Sequence, residues 1–124
     1  MPNRPRRWLR EWKSGNKFGI IPSMYVAVYR WKLKPEMEKA FAELWEKGTL
    51  LFRSEQGALG SRLHQADDGT YFAYAQWPSR ELYHAKKTLS PQHQDNLARM
   101  RECVLESFPV LLGEVSRDLL VHGK

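Results

Sequence analysis

A chain of 124 residues with one cysteine, Cys103, has no intrachain disulfide framework and no cysteine cluster to hold structural zinc. Long apolar runs are missing too. None approaches the roughly twenty residues that cross a bilayer, and the N-terminus lacks the apolar stretch of a signal peptide. These absences point to a soluble, cytoplasmic protein without a membrane span. The sequence has no glycine-rich phosphate loop, nucleophile elbow or cysteine-histidine dyad, which leaves P-loop and nucleophilic-triad chemistry without support. His64, His84 and His93 form no metal-ligand spacing with the carboxylates. No metal is expected, and solvated surface positions suit His64 and His84.

Large side chains are plentiful. Apolar residues make up 42% of the chain, with five Trp, five Tyr and five Phe, enough to fill one core and too much for a disordered composition. The net charge of +6 is unevenly spread. Residues 1–23 hold Arg4, Arg6, Arg7, Arg10, Lys13 and Lys17 against Glu11 alone, so the remainder is close to neutral. The organisation read from this is a basic arm, residues 1–23, containing Trp8 and Trp12, followed by one domain over 24–124. A basic tail can touch phosphates or an anionic surface, but such termini are commonly just solvated. Nucleic acid is disfavoured as a partner.

Met24 to Leu33 reads as a strand with Tyr25, Ala27, Tyr29, Trp31 and Leu33 on one face and Met24, Val26 and Val28 on the other. Both faces are apolar until Arg30, a charge that needs an acid partner or a wet cavity. Pro35 then opens a helix whose stripe is Met37, Phe41, Leu44, Trp45, Gly48, Leu51 and Phe52, with Gly48 allowing a close approach to the sheet or a bend. Ser61–Ala66 and Thr70–Trp77 flank the turn Asp67-Asp68-Gly69, the clearest hairpin signal in the chain. Ser79 caps a short helix running to about Lys87. Ser90-Pro91 starts a longer one with the stripe His93, Leu97, Met100, Val104 and Phe108. Pro109 ends that helix, and Leu111 to Val121 supplies the last strand. This order is an α+β fold, the ferredoxin-like β-α-β-β-α-β arrangement, with a four-stranded antiparallel sheet and both helices on one side. Because the first and third strands carry apolar residues on both faces, the uncovered side calls for a partner. A second copy of the same sheet, giving a homodimer, is the simplest one.

The segments Tyr25-Val26-Ala27-Val28-Tyr29, Gly57-Ala58-Leu59-Gly60-Ser61, Tyr74-Ala75-Gln76-Trp77-Pro78-Ser79 and Ser90-Pro91-Gln92-His93, in that order, resemble the antibiotic-biosynthesis monooxygenase-like family of dimeric α/β-barrel proteins. The resemblance runs from about Met24 to Val121 and rests on order, since no single motif in it is diagnostic. It implies a dimer whose two sheets close into a barrel, with a pocket in each subunit between helices and sheet. Its known members oxidise quinols or polycyclic aromatic intermediates without metal or flavin, degrade haem, or isomerise a small sugar derivative. Haem-degrading relatives use an asparagine in the first strand, a tryptophan in the short helix and a histidine in the long one. Here the first two positions fall at Tyr29 and about Lys86, and only His93 matches, which disfavours haem degradation.

His93 is the candidate catalytic residue. It sits on the inward stripe of its helix, and an imidazole there can take a proton from a phenolic or enolic substrate. The plain alternative is a helix-start histidine bonded to backbone or water. Tyr29, Trp45, Tyr74 and Trp77 are the candidate substrate-binding residues, because aromatic walls suit a flat aromatic ligand as well as they suit a packed core. Two functions remain open: a cofactor-free monooxygenase acting on a small aromatic or quinol-type molecule, and a non-catalytic dimer that binds a small hydrophobic ligand or a protein.

Overall fold

The computed structural model describes residues 24–121, and the basic arm with its two tryptophans lies outside that range. Strand β1 (Tyr25–Leu33) is followed by helix α1 (Glu38–Gln56), the hairpin β2 (Gly60–Gln65) and β3 (Tyr71–Trp77), the short helix α2 (Arg80–His84), helix α3 (Pro91–Glu102), and strands β4 (Val104–Ser107) and β5 (Leu111–Glu114). All strand pairings are antiparallel, in the order β2-β3-β1-β4, with β5 also on β1. The expected α+β, ferredoxin-like fold is present. The sheet stays open.

The fourth place in the sheet is filled by two strands instead of one. β4 pairs with the C-terminal end of β1 and β5 with its N-terminal half, from Val28↔Leu111 to Tyr25↔Glu114. Between them the Phe108 amide donates to the Arg30 carbonyl, so Pro109 and Val110 together stand opposite Tyr29. Proline has no N–H for the ladder, and the extra residue is accommodated as a bulge. Helix α3 therefore stops at Glu102, short of the expected Phe108, and residues 115–121 carry no strand.

Local chemistry sets the other boundaries. Pro35 and Glu36 form a turn ahead of α1, with Glu36 at φ 64, so the helix begins at Glu38 and not at the proline. It ends on Gly57 at φ 82, a left-handed position that glycine adopts without the Cβ clash. Asp68 accepts hydrogen bonds from the Thr70 amide at 2.9 Å and hydroxyl at 2.7 Å, which fixes the hairpin turn. These bonds, aided by Arg30, hold the Asp68 carboxyl below its ordinary range. Ser79 Oγ caps α2 through the Leu82 amide, and Ser90 Oγ caps α3 through the His93 amide, each at 3.1 Å.

Both long helices lie on one side of the sheet. Tyr25, Ala27, Ala73 and Trp77 are buried on that side beneath Phe41, and Phe52, Leu82 and Tyr83 pack against the Tyr25–Trp77 cluster. Burying an aromatic such as Phe41 contributes roughly 1.5–3 kcal/mol. Helix α3 packs on α1, not on the sheet. A Cβ placed on Gly48 would meet Asn96 Nδ2 at 3.0 Å and Met100 Sδ at 3.6 Å. Gly48 therefore permits close approach of the two helices, and not of helix and sheet as the spacing suggests. Asn96 Nδ2 donates to the Leu44 carbonyl at 2.8 Å across this contact.

Candidate functional site

Side-chain size on the inner face of the sheet creates a space. Ala73 and Ala75 on β3 and Ser61 on β2 form a low floor, while Tyr29 and Trp31 on β1 and Trp77 at the end of β3 rise around it. Phe41, Trp45 and Phe52 on α1 and Leu97 and Met100 on α3 close the roof. The cavity so enclosed has a volume of about 550 Å³, within the roughly 300–1,000 Å³ of small-molecule sites. Its walls are mostly aromatic: Tyr29 stacks on Trp31 at 5.9 Å, Trp31 meets Phe41 edge-on at 5.0 Å, and Phe52 meets Trp77 edge-on at 6.0 Å.

A few polar groups converge at the α2 end. The Tyr29 and Tyr83 hydroxyls lie 3.3 Å apart. Burial, with help from that hydrogen bond, pushes the Tyr29 phenol well above its ordinary pKa, so it stays a neutral donor. His84, also on the wall, has Nε2 3.2 Å from the Tyr25 hydroxyl, and its side is open to solvent. Lys87 lies over the Trp77 ring at 4.8 Å and the Tyr83 ring at 5.5 Å. Its ammonium donates to the carbonyls of Leu82, Tyr83 and Ala85, so its hydrogens are committed while its charge remains beside the cavity. Desolvation lowers its pKa.

The sequence candidates divide. Tyr29, Trp45 and Trp77 line the cavity. Tyr74 does not: it alternates onto the opposite face of β3, paired with Val28 and Arg62. His93 is fully buried and stands behind Phe52, whose ring lines the cavity and meets the imidazole edge-on at 4.3 Å. Neither ring nitrogen of His93 has a hydrogen-bond partner, and Glu55 Oε1 lies 3.7 Å from Nδ1. Glu55 is in turn held by the Ser90 hydroxyl at 3.0 Å. Arg30 is accounted for elsewhere, paired with Asp68 at 3.1 Å and stacked on Phe108 at 4.3 Å. His64, expected at a solvated surface position, is half-buried on the outer face of β2, where it stacks on Phe72 with ring centroids 4.5 Å apart and has a buried, unpartnered Nδ1. Tyr83, His84 and Lys87 were not singled out by spacing. The signal available for them was the Tyr83-His84 pair at the end of the short helix that follows Trp77, with Lys87 three residues beyond it.

No group of three or more metal-ligating side chains occurs among the described residues, and none of their helices is long and apolar enough to cross a membrane.

A search of curated proteins finds no match. Solved structures match over most of the fold. An antibiotic biosynthesis monooxygenase-type protein of Chloroflexus aurantiacus is 20% identical with a TM-score of 0.62, covering 81% of this chain and 97% of its own. SnoaB, a cofactor-independent oxygenase from Streptomyces nogalater, is 16% identical with a TM-score of 0.63, covering 78% and 97%. A Mycobacterium tuberculosis protein is 19% identical with a TM-score of 0.56, covering 81% and 99%. At these identities the likeness speaks for the fold. The family model for antibiotic biosynthesis monooxygenase matches residues 24–97, well over half of the chain, from β1 through the middle of α3. The chain belongs to the antibiotic biosynthesis monooxygenase family.

Proposed function

We propose that the protein is a monooxygenase that oxidises a small, electron-rich aromatic or quinol-type molecule in the cavity between helices and sheet. The observation that carries this reading is the cavity itself, a flat aromatic slot with an alanine floor and a cluster of phenol, imidazole and ammonium groups at one end. In the reaction, a base removes the acidic proton of a phenol or anthrone, and the resulting anion passes one electron to O2. Radical and superoxide combine to a peroxide anion, which takes the proton back from the base to become a hydroperoxide and then loses water to leave a carbonyl, so one oxygen atom enters the product and the other leaves as water. The substrate anion supplies the electrons, and neither flavin nor metal is called for in this scheme.

Tyr29, Trp45 and Trp77 hold the ring. The Tyr29–Tyr83 pair donates to the developing oxyanion, and the Lys87 charge favours it in a site where the low dielectric strengthens both effects. His84 takes the proton, because it is the imidazole on the cavity wall. His93, behind Phe52, acts on the substrate only after Phe52 turns aside. In this reading it positions the wall and does not contact the ring.

Oxygen uptake with a panel of hydroquinones and anthrones, for wild type and for Tyr29→Phe, His84→Ala and His93→Ala, tests the assignment. Loss on Tyr29→Phe and His84→Ala with His93→Ala nearer to wild type is expected. Equal, negligible uptake for all four proteins ends the enzyme reading and leaves the alternative of a ligand-binding module.

We also infer a homodimer through the outer sheet face. Val26, Val28, Phe72 and Tyr74 are only half-buried there, and Leu111, in register with Val28, is 70% exposed. Light scattering on the full chain reports it directly; a monomer at micromolar concentration refutes it.

A further inference from the structure

Alternation along β2 sends its side chains to both sides of the sheet. Ser61, in register with Ala75, and Leu63, in register with Ala73, face the helices, whereas Arg62 and His64 face outward. Ser61 therefore stands at the β2 border of the alanine floor, and Thr49 of α1 also lines the cavity. The Ser61 Oγ is buried and has no hydrogen-bond partner. The other buried side-chain atoms in that condition, His64 Nδ1 and both ring nitrogens of His93, belong to residues that do not line the cavity. Among the described residues, Ser61 Oγ is thus the one orphaned buried polar atom of the cavity wall. Its neighbours on the floor offer it nothing, since Ala75 lies beside it and Ala27 is next at the same level. Buried hydroxyls without partners are uncommon, and one on the wall of a ligand-sized cavity marks a point where a ligand oxygen is met. On the far side of β3, the Tyr29 hydroxyl of β1 meets that of Tyr83. β1 and β2 flank β3, so the strands that carry Tyr29 and Ser61 run two strand spacings apart, roughly 9–10 Å.

We propose that Ser61 is a specificity-determining residue that selects a para-dioxygenated aromatic ring, a hydroquinone or naphthalene-1,4-diol, over a monophenol: one oxygen reacts beside the Tyr29–Tyr83 pair, and Ser61 Oγ bonds the opposite one. This rests on the aromatic cavity being the substrate site proposed above. A ring with oxygens on opposite carbons, each in a hydrogen bond of about 2.7 Å, bridges two strand spacings, whereas a ring with one oxygen reaches one side only. A hydroxyl both donates and accepts, so Ser61 serves a diol oxygen before oxidation and a carbonyl oxygen after it. Water can meet such a group in an empty cavity. A ligand oxygen that takes the water's place keeps the bond, and a bare ring edge forfeits it.

Calorimetric titration of the full chain under nitrogen separates the possibilities without requiring turnover. The probes are naphthalene-1,4-diol, naphthalene-1,3-diol and 1-naphthol, which share one ring system and differ in the number and direction of their oxygens. The 1,4-diol is expected to bind about fivefold tighter than 1-naphthol, the worth of one hydrogen bond, and the 1,3-diol to show no such advantage. Ser61→Ala should bring the 1,4-diol to the affinity of 1-naphthol and leave 1-naphthol unchanged, which also reports that the cavity is intact. Equal binding of 1,4-diol and 1-naphthol to wild type overturns the proposal, as does an advantage that survives Ser61→Ala. An equal advantage for the 1,3-diol overturns the para geometry, and an advantage lost in Thr49→Val but kept in Ser61→Ala moves the contact to the helix and overturns the assignment. Failure of all three probes to bind refutes the proposal together with the cavity reading. A 1,4-diol preference that depends on Ser61, in a protein without oxygen uptake, refutes the oxygenase reading and upholds the role of Ser61.

Discussion

Gly48→Ala is the substitution whose outcome depends most directly on how α1 and α3 meet. In an exposed helix, replacing glycine with alanine stabilises by roughly 1 kcal/mol. Here the new methyl lies 3.0 Å from Asn96 Nδ2, closer than carbon and nitrogen tolerate without movement. Asn96 is 3% exposed and its amide is held by the Leu44 carbonyl at 2.8 Å, so it has little room to retreat. Displacing it loosens a buried hydrogen bond at a cost of roughly 1–3 kcal/mol and adds the strain of overpacking, also roughly 1–3 kcal/mol. The net expectation, after the roughly 1 kcal/mol of helix propensity is set against these costs, is destabilisation by about 1–5 kcal/mol, a fall of several degrees or more in Tm for a domain of this size. A double-mutant cycle sharpens the test. In an Asn96→Ala background the clash is gone, so Gly48→Ala should become stabilising by about the 1 kcal/mol of helix propensity. Urea unfolding of the four proteins measures both numbers. A Gly48→Ala protein more stable than wild type, or a cycle with no coupling, refutes the close α1–α3 contact.

Other expectations follow from single groups. Gly57→Ala places a Cβ at φ 82 and within 3.1 Å of Leu82 Cδ2, and should cost about 1–3 kcal/mol in denaturant unfolding, more than an alanine at the open turn glycine Gly69. Cys103 is 2% exposed and burial raises its thiol pKa, so a thiol reagent should label it only when denaturant is present. Tyr29 has a folded pKa raised above the roughly 10 of a free phenol. Its contribution to stability is therefore complete below about pH 10 and is lost as pH rises beyond it. The urea midpoint of wild type should fall more between pH 9 and pH 11 than that of Tyr29→Phe.

Much of the fold was legible because local chemistry and tertiary structure agree. The Asp67-Asp68-Gly69 turn, the Ser79 and Ser90 caps and the alternation along β1 each name an element that is present. The C-terminal third was less legible. Val104 and Phe108 continue the helical spacing of α3, but pairing of Val104–Ser107 with β1 overrides that local pattern. The site divided in the same way. Alternation placed Tyr29 and Trp77 on the inner face, while Tyr74 belongs to the other set of β3 residues. His93 is buried as its stripe requires, yet it faces α1 and Phe52, because α3 rests on the neighbouring helix and not on the sheet. The cavity itself arises from missing volume at Ala73 and Ala75, which a reading centred on large aromatics does not register.

The central claim is that the aromatic cavity hosts oxygenation, and isotope labelling tests it most directly. With 18O2 and an anthrone or hydroquinone substrate, the account predicts one labelled oxygen atom in the product, and loss of product formation in an Ala75→Leu protein that remains folded, since the leucine fills the cavity floor. Product oxygen derived from water, or undiminished turnover in Ala75→Leu, contradicts it.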